Sequence, residues 1–407
     1  MMTDDIKQSV LNIETLGHID HGKTSLTKAL TGVWTDRHSE SIKRNMTIKL
    51  GYADTIIRKC EKCPEPEAYT VSETCPKCGG STKPLIRVSL LDAPGHETLM
   101  ATAIAGASVI DAVLFVIAAN EQCPMPQTKE HLMIINLLGL KNVIIAQTKI
   151  DIVGREKALE SYKQIKKFIE GTIIEDAPIV PVMTNRNVNI DVLLQKILEL
   201  PRPKRDLDAD PLMYVVRSFD VNRPGTNVSK LVGGVIGGTI VKGRFKKGDE
   251  IEIRPGINMS RETKKEDYKA AVTTIRALNN GSEDMDEAIP GGLIGISTGI
   301  DPAYVKADNL VGNVVGHLGK LPEARNLISI KYNRIERDDI QEQGLYEGEA
   351  LIMGVGTATV VGFVKKTKKD KSDIELKHKV CIDKGEKIAI LRNISQRWRL
   401  TGYGMLQ

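Results

Sequence analysis

The octapeptide GHIDHGKT, residues 17–24, limits what this chain can fold into more than any other stretch. It is a complete G-x-x-x-x-G-K-[ST] pattern, with an apolar run at 10–16 before it and helically spaced apolar residues at 23–30 after it. A strand that ends in such a loop and reopens as a helix wraps backbone N–H groups around phosphate oxygens, with the positive end of the helix behind them. In that context Lys23 reaches β- and γ-phosphates, and the Thr24 hydroxyl sits on Mg²⁺. His18, His21 and the more distant His96 fall in the loops beside such a site, as water-orienting groups or as plain polar loop residues.

The surrounding pattern agrees. Strand candidates at 10–16, 85–91, 111–118, 142–147 and 177–182 are separated by helically spaced segments at 23–30, 96–107, 128–138 and 156–168. That alternation predicts βαβ units and a mostly parallel sheet. The proline-rich, charged segment PRPKRDLDADP, 201–211, reads as a linker. Beyond it lie short β-branched runs bounded by glycine or proline, such as GGVIGGTIVKG and GGLIGISTGI, and no sustained amphipathic helix. The expected fold is an α/β phosphate-loop domain at 1–205, then two small β-barrels at 206–321 and 322–407. The echo of KGDEIEI (247–253) in KGEKIAI (384–390) fits two similar units.

Two C-x-x-C pairs, Cys60/Cys63 and Cys75/Cys78, are separated by eleven residues and define an insertion at about 58–82. Four thiolates at this spacing make a tetrahedral Zn²⁺ ribbon with no open position, hence a structural metal. The start, MMTDDIKQSV, lacks the basic-then-apolar pattern of a signal peptide, and the most apolar window, 105–119, is too short to span a bilayer. A cytosolic protein without a membrane role is expected, and Cys123 and Cys381 read as core or surface thiols. Net charge is +5, from 57 basic and 52 acidic residues, which permits a polyanionic partner without requiring one. The lysine-dense run VKKTKKDKSD, 364–373, is either a solvated hairpin tip or a nucleic-acid patch.

DAPGHE, 92–97, follows another strand candidate, so Asp92 can enter a Mg²⁺ shell and the Gly95 N–H can face a γ-phosphate. The run IIAQTKIDIV, 144–153, ends a strand in Thr148, Lys149 and Asp151.

Together with GVWTDRHSE, KLGYAD, GHETLMATAIAGAS, PMPQTKEH, VVRSFDVNRPGT and QRWRLTGYG, these motifs resemble the gamma subunit of archaeal and eukaryotic translation initiation factor 2. The resemblance runs over nearly the whole chain. It implies a GTP/GDP switch with Mg²⁺, slow intrinsic hydrolysis, alpha and beta subunits, initiator methionyl-tRNA and the small ribosomal subunit. By position, it gives phosphate and guanine contacts to Asp20, His21, Gly22, Lys23, Thr24, Ser25, Gly95, Thr148, Lys149, Asp151, Met183, Thr184 and Asn185. Mg²⁺ falls to Thr24, Thr47 and Asp92, with Asp20 and the backbone of Asn45 at a second cluster near the γ-phosphate. His96 and Asp20 take the catalytic positions.

The chain departs from that pattern at three places. Asn45 replaces a glycine, Met183-Thr184 replaces Ser-Ala, and Thr148 replaces the base-reading asparagine. Asp151, which accepts guanine's ring N–H and amino donors, is present. The shorter Thr148 is expected to lose one amide bond to base or phosphate loop, worth roughly 1–3 kcal/mol, or about ten- to a hundredfold in affinity. Three other readings stay open. A selenocysteine-specific elongation factor would lack these knuckles and carry a further C-terminal segment. A pseudo-GTPase scaffold would hold partner subunits with little regard to nucleotide. A zinc-ribbon nucleic-acid binder would leave the phosphate loop unexplained.

Overall fold

Strand sequences such as AVLFVIA and VIIAQT are apolar at successive positions, as a sheet covered on both faces requires. In the computed structural model, the residues described are 4–35, 51–93, 109–223, 225–227, 231–259, 268–335, 337 and 344–407. The chain divides into two compact units, Met1–Pro203 and Lys204–Gln407.

In the first unit β1 (Leu11–Leu16), β2 (Gly51–Cys60), β3 (Tyr69–Thr70), β4 (Thr82–Asp92), β5 (Ala112–Ala118), β6 (Val143–Thr148) and β7 (Ile179–Pro181) form one sheet. Their order is β3-β2-β4-β1-β5-β6-β7. β1 lies parallel to β4 and β5, β5 to β6, and β6 to β7. β2 runs antiparallel to β4 and β3 to β2, so the expected mostly parallel sheet carries an antiparallel edge.

Helices α1 (Lys23–Thr31), α2 (Pro126–Leu138) and α3 (Arg155–Ile169) stand where the spacing predicts them. The predicted helix at 96–107 falls outside the described residues. Among the described helices longer than one turn, α4, Ile190–Leu198, was not predicted. It buries Ile190, Leu193, Leu194 and Ile197, an i, i+3, i+4, i+7 stripe confined to nine residues. Leu26 and Leu30 of α1 are fully buried, in one core with Ile13, Val88, Ile144 and Leu193. Burying each leucine contributes about 1.5–3 kcal/mol. That packing pins the start of α1 at the carboxyl end of β1, the edge where parallel sheets hold ligands.

In the second unit, strands Tyr268–Thr274, Glu250–Asn258, Val314–His317, Leu212–Phe219, Val235–Lys242, Ile294–Ser297, Ala277–Asn279 and Asp284–Met285 follow one another in a sheet. They enclose a core that includes Met213, Ile236, Phe245, Ile251 and Ile296. A closed six-stranded barrel follows, in the order Ala324–Arg334, Lys371–Cys381, Ala358–Lys368, Ala350–Val355, Lys387–Ile394 and Arg397–Leu406. The echoed heptapeptides are the same local piece of each, a glycine turn opening a strand. Tyr214 donates to Glu386 at 3.1 Å, and Thr357 to the Val215 carbonyl at 2.8 Å. The lysine run forms a hairpin tip, with Lys331 near Asp370 and Lys365 near Glu375. Among the described residues no helix is long and apolar enough to cross a membrane.

Candidate functional site

The loop between β1 and α1 is built on glycine where nothing else fits. Gly17 has φ +145°, and a Cβ there would lie 2.2 Å from the Val116 carbonyl oxygen of β5. Gly22, with φ +90°, opens α1. Lys23 is buried, and its Nζ donates to the carbonyls of Gly17 at 3.0 Å and His18 at 2.8 Å. Burial pushes this ammonium down to about 8, against the pull of Asp92 and Asp20. Asp20 is exposed at the crest of the loop with φ +60°, and Ser25 is half-buried in the first helical turn.

Asp92, the last residue of β4, is fully buried. Its carboxylate accepts from Thr15 Oγ1 at 3.1 Å and from Thr35 Oγ1 at 2.7 Å, and Thr24 adds a further hydroxyl bond. Burial raises the carboxyl, and the hydroxyls of Thr35 and Thr24 hold it back. A hydroxyl, a carboxylate and a lysine so placed can take a phosphate-bound divalent cation. Gly95, His96, Thr47 and Asn45 lie outside the described residues.

His18 and His21, the described histidines of the loop, pack against one another. His21 is buried, with Nδ1 3.2 Å from the Val116 carbonyl and Nε2 3.2 Å from Glu121 Oε2. Burial pushes it down to about 4, against the opposing pull of the Val116 carbonyl and Glu121. His18 stacks obliquely at 5.2 Å from it and is lowered by burial. His131 on α2 is fully buried, with neither ring nitrogen partnered among the described residues, and is pushed down to about 3.

The second loop leaves β6 at Thr148. This residue is buried, and its hydroxyl donates to the His21 carbonyl at 2.6 Å, so the shorter side chain still reaches the phosphate loop. Lys149 turns the chain with φ 58°, and a single 3-10 turn, Ile150–Ile152, presents Asp151 to solvent. Met183 exchanges backbone hydrogen bonds with Val188 at 3.2 and 3.0 Å, closing a tight loop after β7. Met183 and Thr184 are half-buried there, while Asn185 is exposed and donates to Asp151 Oδ2 at 3.0 Å. The three nucleotide motifs thus gather on one edge of the sheet.

The four cysteines also converge. Cys60 Sγ lies 3.5 Å from Cys78 Sγ and Cys63 Sγ 3.7 Å from Cys75 Sγ, and all four fall within 4.8 Å of one another. A tetrahedron with Zn–S bonds of about 2.3 Å has edges of about 3.8 Å, so the donor set fits Zn²⁺. The N–H groups of Cys78 and Lys77 pull the Cys75 thiol down to about 7, while the neighbouring Cys78 pushes Cys63 up to about 12. Burial pushes Cys123 and Cys381 up to about 12, which makes them inert thiols.

Family models match the chain in three successive segments. These are the elongation factor Tu GTP-binding domain at 8–203, elongation factor Tu domain 2 at 233–306, and the C-terminal domain of initiation factor eIF2 gamma at 327–406. Translation initiation factor 2 subunit gamma of Methanothermobacter thermautotrophicus is 50% identical over 406 residues, spanning 98% of this chain and 99% of that protein. The chain belongs to the translation initiation factor 2 gamma subunit family. The subunit of that name from Methanocaldococcus jannaschii is 51% identical over 407 residues, 98% of each chain.

The chain is a translational GTPase by family, with an elongation factor Tu-type GTP-binding domain matched at 8–203. The gamma-subunit fold is shared more widely. A bacterial selenocysteine-specific elongation factor superposes with TM-score 0.73 at 25% identity, over 98% of this chain and 58% of that one. Elongation factor SelB of Methanococcus maripaludis, bound to the GTP analogue GppNHp, gives TM-score 0.73 at 23% identity over 99% and 79% of the two chains. Against 50% identity to gamma subunits, the selenocysteine-specific reading falls away.

Sequence reasoning missed four residues of this gamma-subunit site: Thr15, Thr35, Glu121 and His131. Thr15 reaches Asp92 across 77 positions of sequence and His21 reaches Glu121 across 100, so no local pattern marks them.

Proposed function

We propose that this chain is the GTP switch of its initiation factor, binding GTP with Mg²⁺ and hydrolysing it to GDP. In the GTP state it carries methionylated initiator tRNA to the small ribosomal subunit, in the cytoplasm and together with alpha and beta subunits. The observation that supports this reading best is the buried Asp92 carboxylate against the Thr24 hydroxyl, next to Lys23 turned into its own loop. We read the chain as three domains, 1–205, 206–321 and 322–407.

Lys23 and the N–H groups of the loop around His21, Gly22 and Ser25 bind the β- and γ-phosphates. Thr24, Asp92 and Thr47 hold Mg²⁺, which when bound neutralises charge on the phosphate oxygens. Asp20, with the Asn45 backbone, serves a polar cluster by the γ-phosphate, and the Gly95 N–H reads that phosphate. His96 orients the attacking water, and rate comes from positioning completed by a partner. Lys149 covers the base plane, Asp151 reads guanine, and the Thr184 N–H meets its carbonyl from the loop of Met183 and Asn185. Cys60, Cys63, Cys75 and Cys78 hold a structural Zn²⁺.

Titration calorimetry with GDP, ADP and XDP in Mg²⁺ tests the assignment. Micromolar GDP binding without ADP binding supports it. Equal binding of GDP and ADP, or none below millimolar, favours a nucleotide-indifferent scaffold. Initiator tRNA retention with GTP but not GDP, on the assembled factor, tests delivery.

A further inference from the structure

The base-reading loop of this chain is held from outside itself at two points. Thr148 ends a buried strand, and its hydroxyl bonds the His21 carbonyl of the phosphate loop, 127 residues away in sequence. The two loops are in close contact, since a Cβ on Gly22 would stand 3.9 Å from that hydroxyl oxygen. Three residues further on, Asp151 Oδ2 accepts from the Asn185 amide, which projects from the loop closed by Met183 and Val188.

A free carboxylate at the surface turns readily about its terminal torsion. Asn185 occupies one lone pair of one oxygen, and each carboxylate oxygen has two, so both oxygens keep room for a donor. Guanine presents two adjacent donors, a ring N–H and an amino group, and both can be met only if the carboxylate plane is fixed. From this juxtaposition we infer that Asn185 and Thr148 are the positioning residues of guanine selectivity in this chain. Asn185 sets the plane of Asp151, and Thr148 sets the height of the whole loop over the phosphates. The inference rests on the nucleotide-site reading above.

The two roles leave different signatures. Hypoxanthine has the ring N–H of guanine but not its amino group, so the ratio of GDP to IDP affinity measures the second hydrogen bond. Loss of one such positioned bond costs about three- to tenfold. N185A is expected to lower the GDP:IDP ratio by that factor while IDP affinity stays within about twofold. T148V, which keeps shape but removes the hydroxyl, is expected to weaken GDP and IDP together by about tenfold at an unchanged ratio. T148S, which keeps the hydroxyl, binds as the parent does.

Calorimetric competition with GDP and IDP on the full chain and these variants decides it. Asn185 is exposed, so N185A retains the fold and its ratio alone is decisive. An unchanged ratio in N185A, or T148V matching T148S, overturns the inference while leaving nucleotide binding intact. Failure of the parent protein to bind GDP below millimolar overturns the nucleotide site itself, and the inference with it.

Discussion

Lys23 Nζ lies 2.8 Å from the carbonyl oxygen of His18, so the ammonium proposed to bind phosphate is folded back onto its own loop. Burial has pushed it down to about 8 from 10.5. A bound polyphosphate restores a high value, so the complex keeps a proton that the free protein loses above pH 8. GDP affinity is therefore flat near pH 7 and falls about tenfold per pH unit above 8, with proton uptake on binding. Calorimetry at pH 7, 8 and 9 in buffers of different ionisation enthalpy checks both. The free protein shows the opposite trend, because a depressed lysine adds stability as pH rises from 8 towards 10.5.

Exchanging Asp151 for asparagine replaces one carboxylate oxygen with an amide donor. Guanine's amino group then faces a donor, whereas xanthine offers a carbonyl at that place. D151N is expected to lose about a hundredfold in GDP affinity and to gain XDP binding. Titrations with the two nucleotides read the exchange directly.

Four thiols on a tetrahedron of this size are expected to hold one zinc per chain. Four-thiolate sites contribute about 10 kcal/mol or more of binding energy, comparable with the whole stability of a domain. C63S, or chelation after thiol modification, is expected to release the metal and expose the segment 60–82 to protease. Native mass spectrometry gives the stoichiometry, and limited proteolysis the loss of order.

His131 is held neutral by burial, at about 3. Its stabilising effect is complete above 6.5, the ordinary histidine value, and is lost as pH falls. Between 6.5 and 4 it removes about 1.4 kcal/mol per pH unit from the first unit. H131L should flatten that slope by one proton, since its ring nitrogens have no partner among the described residues to lose. Urea midpoints from pH 7 to 4 measure it.

In the C-terminal barrel Arg392 Nε meets Glu349 Oε1 at 2.5 Å, with both side chains buried. Replacing the carboxylate removes the charge from this buried contact. E349Q is expected to cost about 1–3 kcal/mol, measured as a shift in the thermal midpoint.

What the sequence disclosed was what it repeats or spaces locally. The phosphate loop, the two cysteine pairs and the apolar strands are fixed by neighbours within a few residues, and their places followed. Helix α4 was passed over because its nine-residue stripe has no motif at its start, unlike the equally short α1 behind the phosphate loop, and β2 because its alternation carries Asp54, Thr55 and Arg58. Thr148 illustrates the other limit. Its chemistry was legible, but its bond to His21 depends on how two loops on different strands approach. His131 gave no sign at all, because an orphan inside a helix has no partner spacing to betray it.

One ladder gives the whole arrangement a mechanical character. β2 and β4 pair from Gly51 opposite Asp92 to Cys60 opposite Thr82. The cysteine end lies at the four-sulfur cluster, and the other end is the last described pair before residues 36–50 and 94–108. A ladder paired over this length resists shear, since sliding either strand by one residue would turn every side chain to the wrong face. Gly51 and Asp92 are therefore held opposite one another, so the register set along the whole ladder reaches the carboxylate at the phosphate-loop edge of the sheet.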